Sequence, residues 1–320
     1  MTRTELRPFR FGVINESLTT LAGWRKTVTR AEDIGASTFL IRDHVATEPF
    51  GVQLGPVSAL AAAAMITERI RLGTMVIGND YRNPALLAQE AASIDFLSSG
   101  RFELGMGAGW QSDEYRALGI PFDAAGRRIE RLAQSVDIVD ALLRGESVTS
   151  ARGNYRLEDC RLGLLPIQRP RPPILIAGGG PRMLALAGAS ADIVGILPAP
   201  IRDVDGAESP SDRMPAAFTN KIATIREAAG ERFPRVELSV FATVRTTDNR
   251  RRDTEELIRE RGWNGLACDD VWQMPTVLIG SPEQIAADLH QRREQFGISY
   301  FVVPDSALDQ IAPVIARLGS

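Results

Sequence analysis

Few residues of this chain combine a reactive side chain with a suggestive position. His44 is one of only two histidines among 320 residues, and it directly follows Arg42 and Asp43. An imidazole can donate or accept a proton near neutral pH, and an adjacent carboxylate can hold it in one tautomer. His44 is therefore a candidate proton donor, although Asp43 could equally cap a helix while His44 satisfies a buried backbone group. The other histidine, His290, lies in a polar segment and is expected at the surface.

A glycine run is the strongest local signal. Gly178, Gly179 and Gly180 lead into Pro181 and Arg182, a sequence typical of a turn that opens a helix. Such a turn presents backbone N–H groups where the helix dipole favours an anion, and the planar guanidinium of Arg182 adds a cation. A tight turn needs fewer glycines, so the pattern favours a phosphate site over a purely structural turn.

A second glycine pattern, GMGAGW, occupies residues 105–110. Glycine at alternate positions weakens a strand, and a close backbone approach by a ligand would explain it. The pattern has neither the GK[ST] ending of a Walker loop nor the spacing of a dinucleotide-binding fingerprint. The segment GTMV at 73–76 is typical of an ordinary core strand, followed by a turn before Pro84.

Composition narrows the class of protein. The chain has 37 Lys and Arg against 40 Asp and Glu, a formal charge of −3, and no basic block, which argues against nucleic-acid binding. Cys160 and Cys268 lack the spacing of a disulfide framework or zinc site, and no other cluster suits a metal. No GxSxG elbow occurs, so a bound organic cofactor is the better source of reactivity.

We expect a cytoplasmic protein that does not enter a membrane. The first residues carry scattered charges and no apolar core of a secretory signal. The uncharged run 49–67 contains prolines, glycines and small residues, which fits a buried helix better than a membrane span.

The elements that must position these residues alternate along nearly the whole chain. Predicted strands cover 10–14, 37–41, 70–76, 101–107, 173–178, 192–197, 236–244 and 300–304. Predicted helices cover 20–34, 56–67, 84–97, 123–143, 181–189, 216–229, 251–261 and 282–296. Eight apolar strands, each followed by a helix, predict an α/β fold of the (β/α)8 TIM barrel type. Chemistry in such barrels lies at the carboxyl ends of the strands, where His44 and both glycine patterns fall.

Three segments are predicted as insertions into a single domain of residues 1–320. Residues 144–172 contain short alternating pieces and a Gly-Asn pair, which predict a hairpin. Residues 199–216 are polar and rich in Pro and Gly, which predicts a loop beside the sixth strand. Residues 263–275 carry two tryptophans and are predicted to help build the substrate pocket.

The order of the motifs resembles the bacterial luciferase-like family of flavin and deazaflavin oxidoreductases. The resemblance is carried by FGV in the first strand, RDH after the second, GTMV with YRNPALLAQEAASIDFLSSGRFELGMGAGW, and ILIAGGGPRMLALAGASADIV. These segments span most of the chain. AGGGPRML together with GMGAGW most resembles the members that use the deazaflavin F420 rather than FMN. The resemblance implies a TIM barrel with the cofactor ring across its carboxyl-terminal mouth.

The resemblance also implies a set of site residues. It assigns cofactor binding to Asp43, His44, Thr74, Met75, Val76, Gly107, Ala108, Gly109, Gly179, Gly180, Arg182 and Met183. A cis peptide bond between Met75 and Val76 would support the back of the ring, and Arg182 and Met183 would lie at the cofactor phosphate. His44 is then the best available catalytic proton donor, although in much of the family its role is only to bind cofactor.

One position departs from the family pattern. Sugar-phosphate dehydrogenases of this family have an acid–base glutamate after the strand-four glycines, where this chain has Trp110. Tryptophan exchanges no proton at neutral pH, but it packs against apolar or aromatic groups. Trp110 therefore argues against glucose 6-phosphate and indicates an apolar or aromatic substrate. Trp263 and Trp272 either extend this pocket or simply anchor loops.

Three functions remain open from the sequence. The first is an F420-dependent oxidoreductase that moves a hydride between the deazaflavin and a small organic substrate, with reduction of a C=C or C=N bond by F420H2 preferred. The second is an FMNH2-dependent monooxygenase that uses O2 and a separate flavin reductase. The third is a ligand-binding barrel without turnover, since a fold alone does not imply activity. The family also implies a homodimer.

Overall fold

Eight parallel strands close into a barrel in the computed structural model, which describes residues 6–16, 18, 20–151, 153–198 and 210–319. The strands are β1 (Arg10–Asn15), β2 (Thr38–Ile41), β3 (Arg71–Thr74), β4 (Phe102–Gly107), β5 (Ile174–Gly178), β6 (Ile193–Ile196), β7 (Glu237–Phe241) and β8 (Ile298–Pro304). Consecutive strands pair in parallel, and β8 pairs with β1. The predicted TIM barrel is confirmed.

Helices surround this barrel and bury their apolar faces against it. They are α1 (Leu21–Asp33), α2 (Pro56–Ala64), α3 (Pro84–Leu97), α4 (Ser112–Ala117), α5 (Ala125–Leu143), α6 (Pro181–Ser190), α7 (Pro215–Ala229), α8 (Arg250–Arg261), α9 (Cys268–Gln273), α10 (Pro282–Phe296) and α11 (Leu308–Leu318). The bounds of α10 follow from its sequence. Ser281 and Gln284 each accept a hydrogen bond from the other's backbone N–H, and Gly297 ends the helix with φ of 72°.

The inside of the barrel is filled mainly by apolar side chains. The interior cluster consists of Ile14, Leu40, Leu175, Ile193, Tyr300 and Val302, all nearly inaccessible to solvent. Four partly exposed residues pack on it near the carboxyl ends of their strands: Met75, Val76, Ala177 and Phe241. These four residues give the mouth of the barrel an apolar floor.

The amino-terminal end of the barrel is closed by ion pairs. Arg10 pairs with Glu237 at 2.6 Å and also with Glu103, and Arg71 pairs with Glu103 at 2.5 Å. Each charge thereby gains a partner that offsets its loss of hydration. We regard this end as structural, which leaves the carboxyl-terminal mouth for chemistry.

The end of the predicted strand 236–244 leaves the barrel. β7 ends at Phe241, and Thr243–Thr246 then pairs in parallel with Val277–Gly280 outside the barrel. Several elements of the structure are not predicted from the sequence, among them Val277–Gly280, α4, α9 and α11. The predicted helices otherwise match the structure to within a few residues at their ends.

The predicted insertions are described only in part. The hairpin predicted within 144–172 is confirmed by the antiparallel pair Val148–Ser150 and Leu157–Cys160. Of the predicted insertion 199–216, residues 199–209 lie outside the described residues. That the chain forms one domain stays a prediction.

The uncharged run 49–67 contributes α2 to the barrel wall. Ala59, Leu60 and Ala63 of this helix are buried, as expected for a core helix. Among the described helices, none is long and apolar enough to cross a membrane.

Candidate active site

The residues that follow β2 point in different directions, as successive residues of an extended chain do. The buried carboxylate of Asp43 accepts a hydrogen bond from the N–H of Gly78 at 2.9 Å and pairs with both terminal nitrogens of Arg82. Asp43 therefore anchors the segment that follows β3 in the chain. The prediction that the adjacent carboxylate orients His44 is wrong.

The carboxylate that orients His44 belongs to Glu114, a residue of the short helix α4. Nδ1 of His44 lies 3.0 Å from Oε2 of Glu114. The same oxygen accepts a hydrogen bond of 2.8 Å from the hydroxyl of Tyr81. The second oxygen of Glu114 accepts hydrogen bonds from the N–H groups of Val45 and Ala46. Glu114 thus connects the end of β2 with α4 and the segment behind β3.

The carboxylate of Glu114 is only 1% exposed, yet it is held in its charged form. Burial alone would raise its pKa, but the N–H groups of Ala46 and Val45 and the hydroxyl of Tyr81 together lower that pKa below its usual range. Burial raises the pKa of Tyr81, and the hydrogen bond to Glu114 raises it further. The Tyr81 hydroxyl therefore keeps its proton and acts as the donor in that hydrogen bond. His44 therefore faces an acceptor that is anionic at neutral pH.

Aromatic rings surround the other sides of His44. The ring of Phe50 lies 4.8 Å from the imidazole, and Trp110 lies edge-on at 6.0 Å. Trp110 is 47% exposed, so the prediction that it lines a pocket beside His44 is compatible with its position. Arg42 covers the far face of the aromatic cluster, because its guanidinium lies 4.2 Å from the Phe50 ring while it pairs with Glu16.

The chain bulges at the end of β3. A cis peptide bond joins Met75 and Val76, as the resemblance implies. β3 ends at Thr74, two residues before the end of the predicted strand 70–76. The hydroxyl of Thr74 donates to the carbonyl of Gly105 at 2.9 Å and accepts from its N–H at 2.8 Å. Thr74 therefore ties the bulge to β4, and its part in cofactor binding stays a prediction.

The glycines in and directly after β4 make room for the protein's own side chains. A Cβ at Gly107 would lie 2.4 Å from the side chain of Val76, and a Cβ at Gly109 would lie 1.9 Å from the hydroxyl of Tyr115. Gly109 also has φ of 73°, which disfavours a side chain. These contacts alone account for both glycines, and the predicted cofactor binding by Gly107, Ala108 and Gly109 stays a prediction.

The loop after β4 is held from outside by α5. Arg128 is nearly buried and donates hydrogen bonds to the carbonyl of Ala108 at 3.2 Å and to that of Gly109 at 3.3 Å. These bonds direct both carbonyl groups toward α5, which fixes the loop that leads into Trp110.

The glycine run after β5 opens α6, as predicted. Gly180 is its N-cap and has no atom within 4 Å of the position a Cβ would take. Met183 packs its side chain against Gly178, so it can offer a ligand only its backbone N–H. Arg182 is exposed and lies beside Gly126 in the first turn of α5, and its guanidinium lies 3.8 Å from the carboxylate of Glu130. The exposed start of α6 and this guanidinium suit an anion.

The two further tryptophans serve as anchors. Trp263 is buried in a cluster with Leu257, Val271 and Met274, apart from the barrel interior. Trp272 donates its indole N–H to Thr254 at 2.8 Å. The loop-anchoring interpretation of both residues is therefore the one that fits.

A polar cavity of about 440 Å³ lies away from the mouth, near the amino-terminal ends of β5 and β6. Its wall includes Arg171, which already pairs with Asp140 and Asp192. No group of His, Cys, Asp and Glu within the described residues could hold a metal ion.

The structure brings His44, Trp110 and the bulge at Met75–Val76 to the mouth of the barrel, with the glycine turn at the end of β5. Glu114 is the functional candidate that sequence reasoning missed. Its only signal is its place, four residues after Trp110, in the segment that follows β4 at the end of the barrel where such enzymes keep their chemistry.

Comparison with known proteins identifies relatives. The family model for luciferase-like monooxygenases matches residues 6–300. The 4-hydroxyprotoasukamycin monooxygenase of Streptomyces nodosus subsp. asukaensis is 31% identical over 250 residues, 77% of this chain and 61% of that protein. The F420-dependent glucose-6-phosphate dehydrogenase of Intrasporangium calvum is 36% identical over 172 residues, 51% of this chain and 50% of that protein. The matches thus span between half and three fifths of these relatives.

A solved structure shares the fold. The coenzyme F420 dependent tetrahydromethanopterin reductase from Methanopyrus kandleri superposes with a TM-score of 0.75 at 19% identity, over 98% of this chain and 100% of that one. At this identity the likeness concerns the fold alone. The family model covers almost all of the barrel, and the chain belongs to the luciferase-like monooxygenase family.

Proposed function

We propose that the protein is an F420-dependent oxidoreductase that reduces a C=C or C=N bond of a small organic substrate. The observation that carries this proposal is the mouth, which combines an apolar floor, an exposed helix start after three glycines and a carboxylate-held histidine. The relative from Intrasporangium calvum, whose name includes F420, supports the choice of cofactor.

The residues at the mouth suit a flat cofactor that carries a phosphate. Met75, Val76 and Ala177 offer apolar contact to a ring. The open space at Gly180, with the N–H groups at the start of α6 and the guanidinium of Arg182, suits the phosphate. When bound, reduced F420 supplies a hydride.

His44 and Trp110 would act on the substrate side. The imidazole can give a proton to the atom that gains negative charge during reduction, and the contact of Glu114 with Nδ1 holds the ring in place. The half-exposed indole of Trp110 offers contact to an apolar or aromatic substrate group.

The second candidate is an FMNH2-dependent monooxygenase, which would use O2 and a separate flavin reductase. The relative from Streptomyces nodosus, named a monooxygenase, favours it. The apolar floor and the anion site would serve either ring. Oxygen uptake in the presence of reduced FMN would support this candidate.

A homodimer remains part of the proposal. Large apolar side chains exposed on the outside of the barrel include those of Leu86, Phe96 and Leu97 in α3, and that of Met65 directly after α2. A second copy of the chain would remove this surface from water.

We expect Arg182→Ala to weaken F420 binding about tenfold, the equivalent of ~1.4 kcal/mol, because one charge-assisted hydrogen bond to phosphate is lost. Fluorescence titration of the purified protein measures this affinity. The matched control is Arg30→Ala, which removes an exposed arginine from the last turn of α1. Equal affinity of both variants would place the cofactor phosphate elsewhere.

A further inference from the structure

We propose that Glu114 is a positioning residue that holds His44 in the tautomer with its proton on Nδ1. Oε2 of Glu114 lies 3.0 Å from that nitrogen. The catalytic meaning of this arrangement rests on the proposed function, but the arrangement itself is a property of the protein without cofactor.

The surroundings of Glu114 leave Nδ1 only one role. An ionised carboxylate has no proton to donate, and the Tyr81 hydroxyl spends its proton on the same oxygen, 2.8 Å away. The nitrogen of His44 that faces Oε2 must therefore be the donor. A neutral His44 then has its lone pair on Nε2.

The ring is also fixed in orientation. Glu114 binds the N–H groups of Val45 and Ala46, the two residues directly after His44, so carboxylate and backbone move together. Phe50 lies against one side of the imidazole at 4.8 Å. Among the described residues, none forms a hydrogen bond with Nε2, which leaves this nitrogen for a ligand.

This assignment defines the proton that His44 can transfer. A protonated His44 would give the proton on Nε2 to the substrate atom that gains an electron pair when the bound cofactor supplies its hydride. The ring returns to the neutral form with hydrogen on Nδ1, and water supplies the next proton. Hydride and proton together complete a two-electron reduction.

The decisive variant is Glu114→Gln. The amide oxygen of glutamine can keep the bonds to Val45 and Ala46, which places its NH2 group toward His44. An NH2 group donates, so Nδ1 must become an acceptor and the proton must move to Nε2. The variant should therefore invert the tautomer while preserving the loop.

The test is ¹⁵N NMR of histidine-labelled protein without cofactor, at a pH where the imidazoles are neutral. His290 is exposed and remote from Glu114, so it provides an internal reference in the same spectrum. We expect His44 to carry hydrogen on Nδ1 in the wild type and on Nε2 in Glu114→Gln, with His290 unchanged.

Tyr81→Phe is the matched control, because it removes one donor to Glu114 and leaves the His44 contact in place. It should retain the wild-type tautomer. Hydrogen on Nε2 in the wild type, or the same tautomer in wild type and Glu114→Gln, would overturn the inference. A failed F420 titration with an inverted tautomer would instead reject the proposed function alone.

Discussion

Glu32, in the last turn of α1, shows how one side chain fixes a turn of the backbone. Its Oε1 accepts hydrogen bonds from three successive N–H groups, those of Glu68, Arg69 and Ile70, at 2.7 to 2.9 Å. Burial opposes the charge, but these three bonds outweigh it and lower the pKa of Glu32. The carboxylate thereby orders the turn that leads into β3.

We expect Glu32→Gln to reduce the free energy of unfolding by about 1 kcal/mol at neutral pH, since a neutral acceptor replaces a charged one. The pKa of Glu32 is lower in the folded state, so its stabilising effect is present above the unfolded-state pKa of about 4.3 and is lost as pH falls through the folded-state value. The wild type and the variant should therefore converge in acid.

Urea unfolding at neutral and acidic pH measures this difference. Glu255→Gln, at an exposed position on α8, is the control and should unfold like the wild type. A stability difference between wild type and Glu32→Gln that does not change with pH would contradict the role of the charge.

At the residue scale, sequence reasoning found His44 but not its partner. Asp43 adjoins His44 in the chain, yet neighbours in an extended segment face opposite ways, so Asp43 reaches Arg82 instead. Glu114 lies seventy positions away, and only the closure of the barrel brings it to Nδ1. A partner of this kind requires coordinates.

At the scale of elements, the bulge behind β3 depends on small residues in β4. A Cβ at Gly105 would lie 2.0 Å from the carbonyl oxygen of Thr74, a backbone atom that cannot rotate away. The glycine is therefore needed for the packing of two strands, independently of any ligand.

We expect Gly105→Ala to destabilise the protein by ~1–3 kcal/mol, the usual cost of overpacking a core. Thermal unfolding measures the change. Gly163→Ala is the matched control, because no atom lies within 4 Å of the Cβ it would add. Gly105→Ala with the melting temperature of the wild type would show that this strand contact is looser than described.

The order of elements was largely accessible from sequence, because each apolar strand is followed by a helix with its own start signals. The missed elements are short or contain a residue that disfavours a helix. In α11, Pro313 lies inside the helix at an exposed position, while the buried residues Leu308, Ile311, Val314 and Ile315 keep helical spacing. Val277–Gly280 is short and directly precedes the well-marked α10, and its pairing partner comes from a strand that leaves the barrel.

At the scale of the whole molecule, the fold decides where chemistry occurs but not which cofactor performs it. The parallel barrel gathers the strand ends at one mouth, whose floor includes Met75, Val76 and Phe241. This much follows from eight repeated strand and helix units. The choice between two ring systems of similar shape depends on contacts that the repeated pattern does not encode.

The most direct measurement of the cofactor is a side-by-side titration of the purified protein with F420 and FMN. Cofactor fluorescence and the melting temperature of the protein report binding. We predict saturable binding of F420 with a rise in melting temperature, and markedly weaker binding of FMN, because the relative from Intrasporangium calvum is named F420-dependent and AGGGPRML resembles the members that use F420. Tight binding of FMN without binding of F420 would contradict the proposed function.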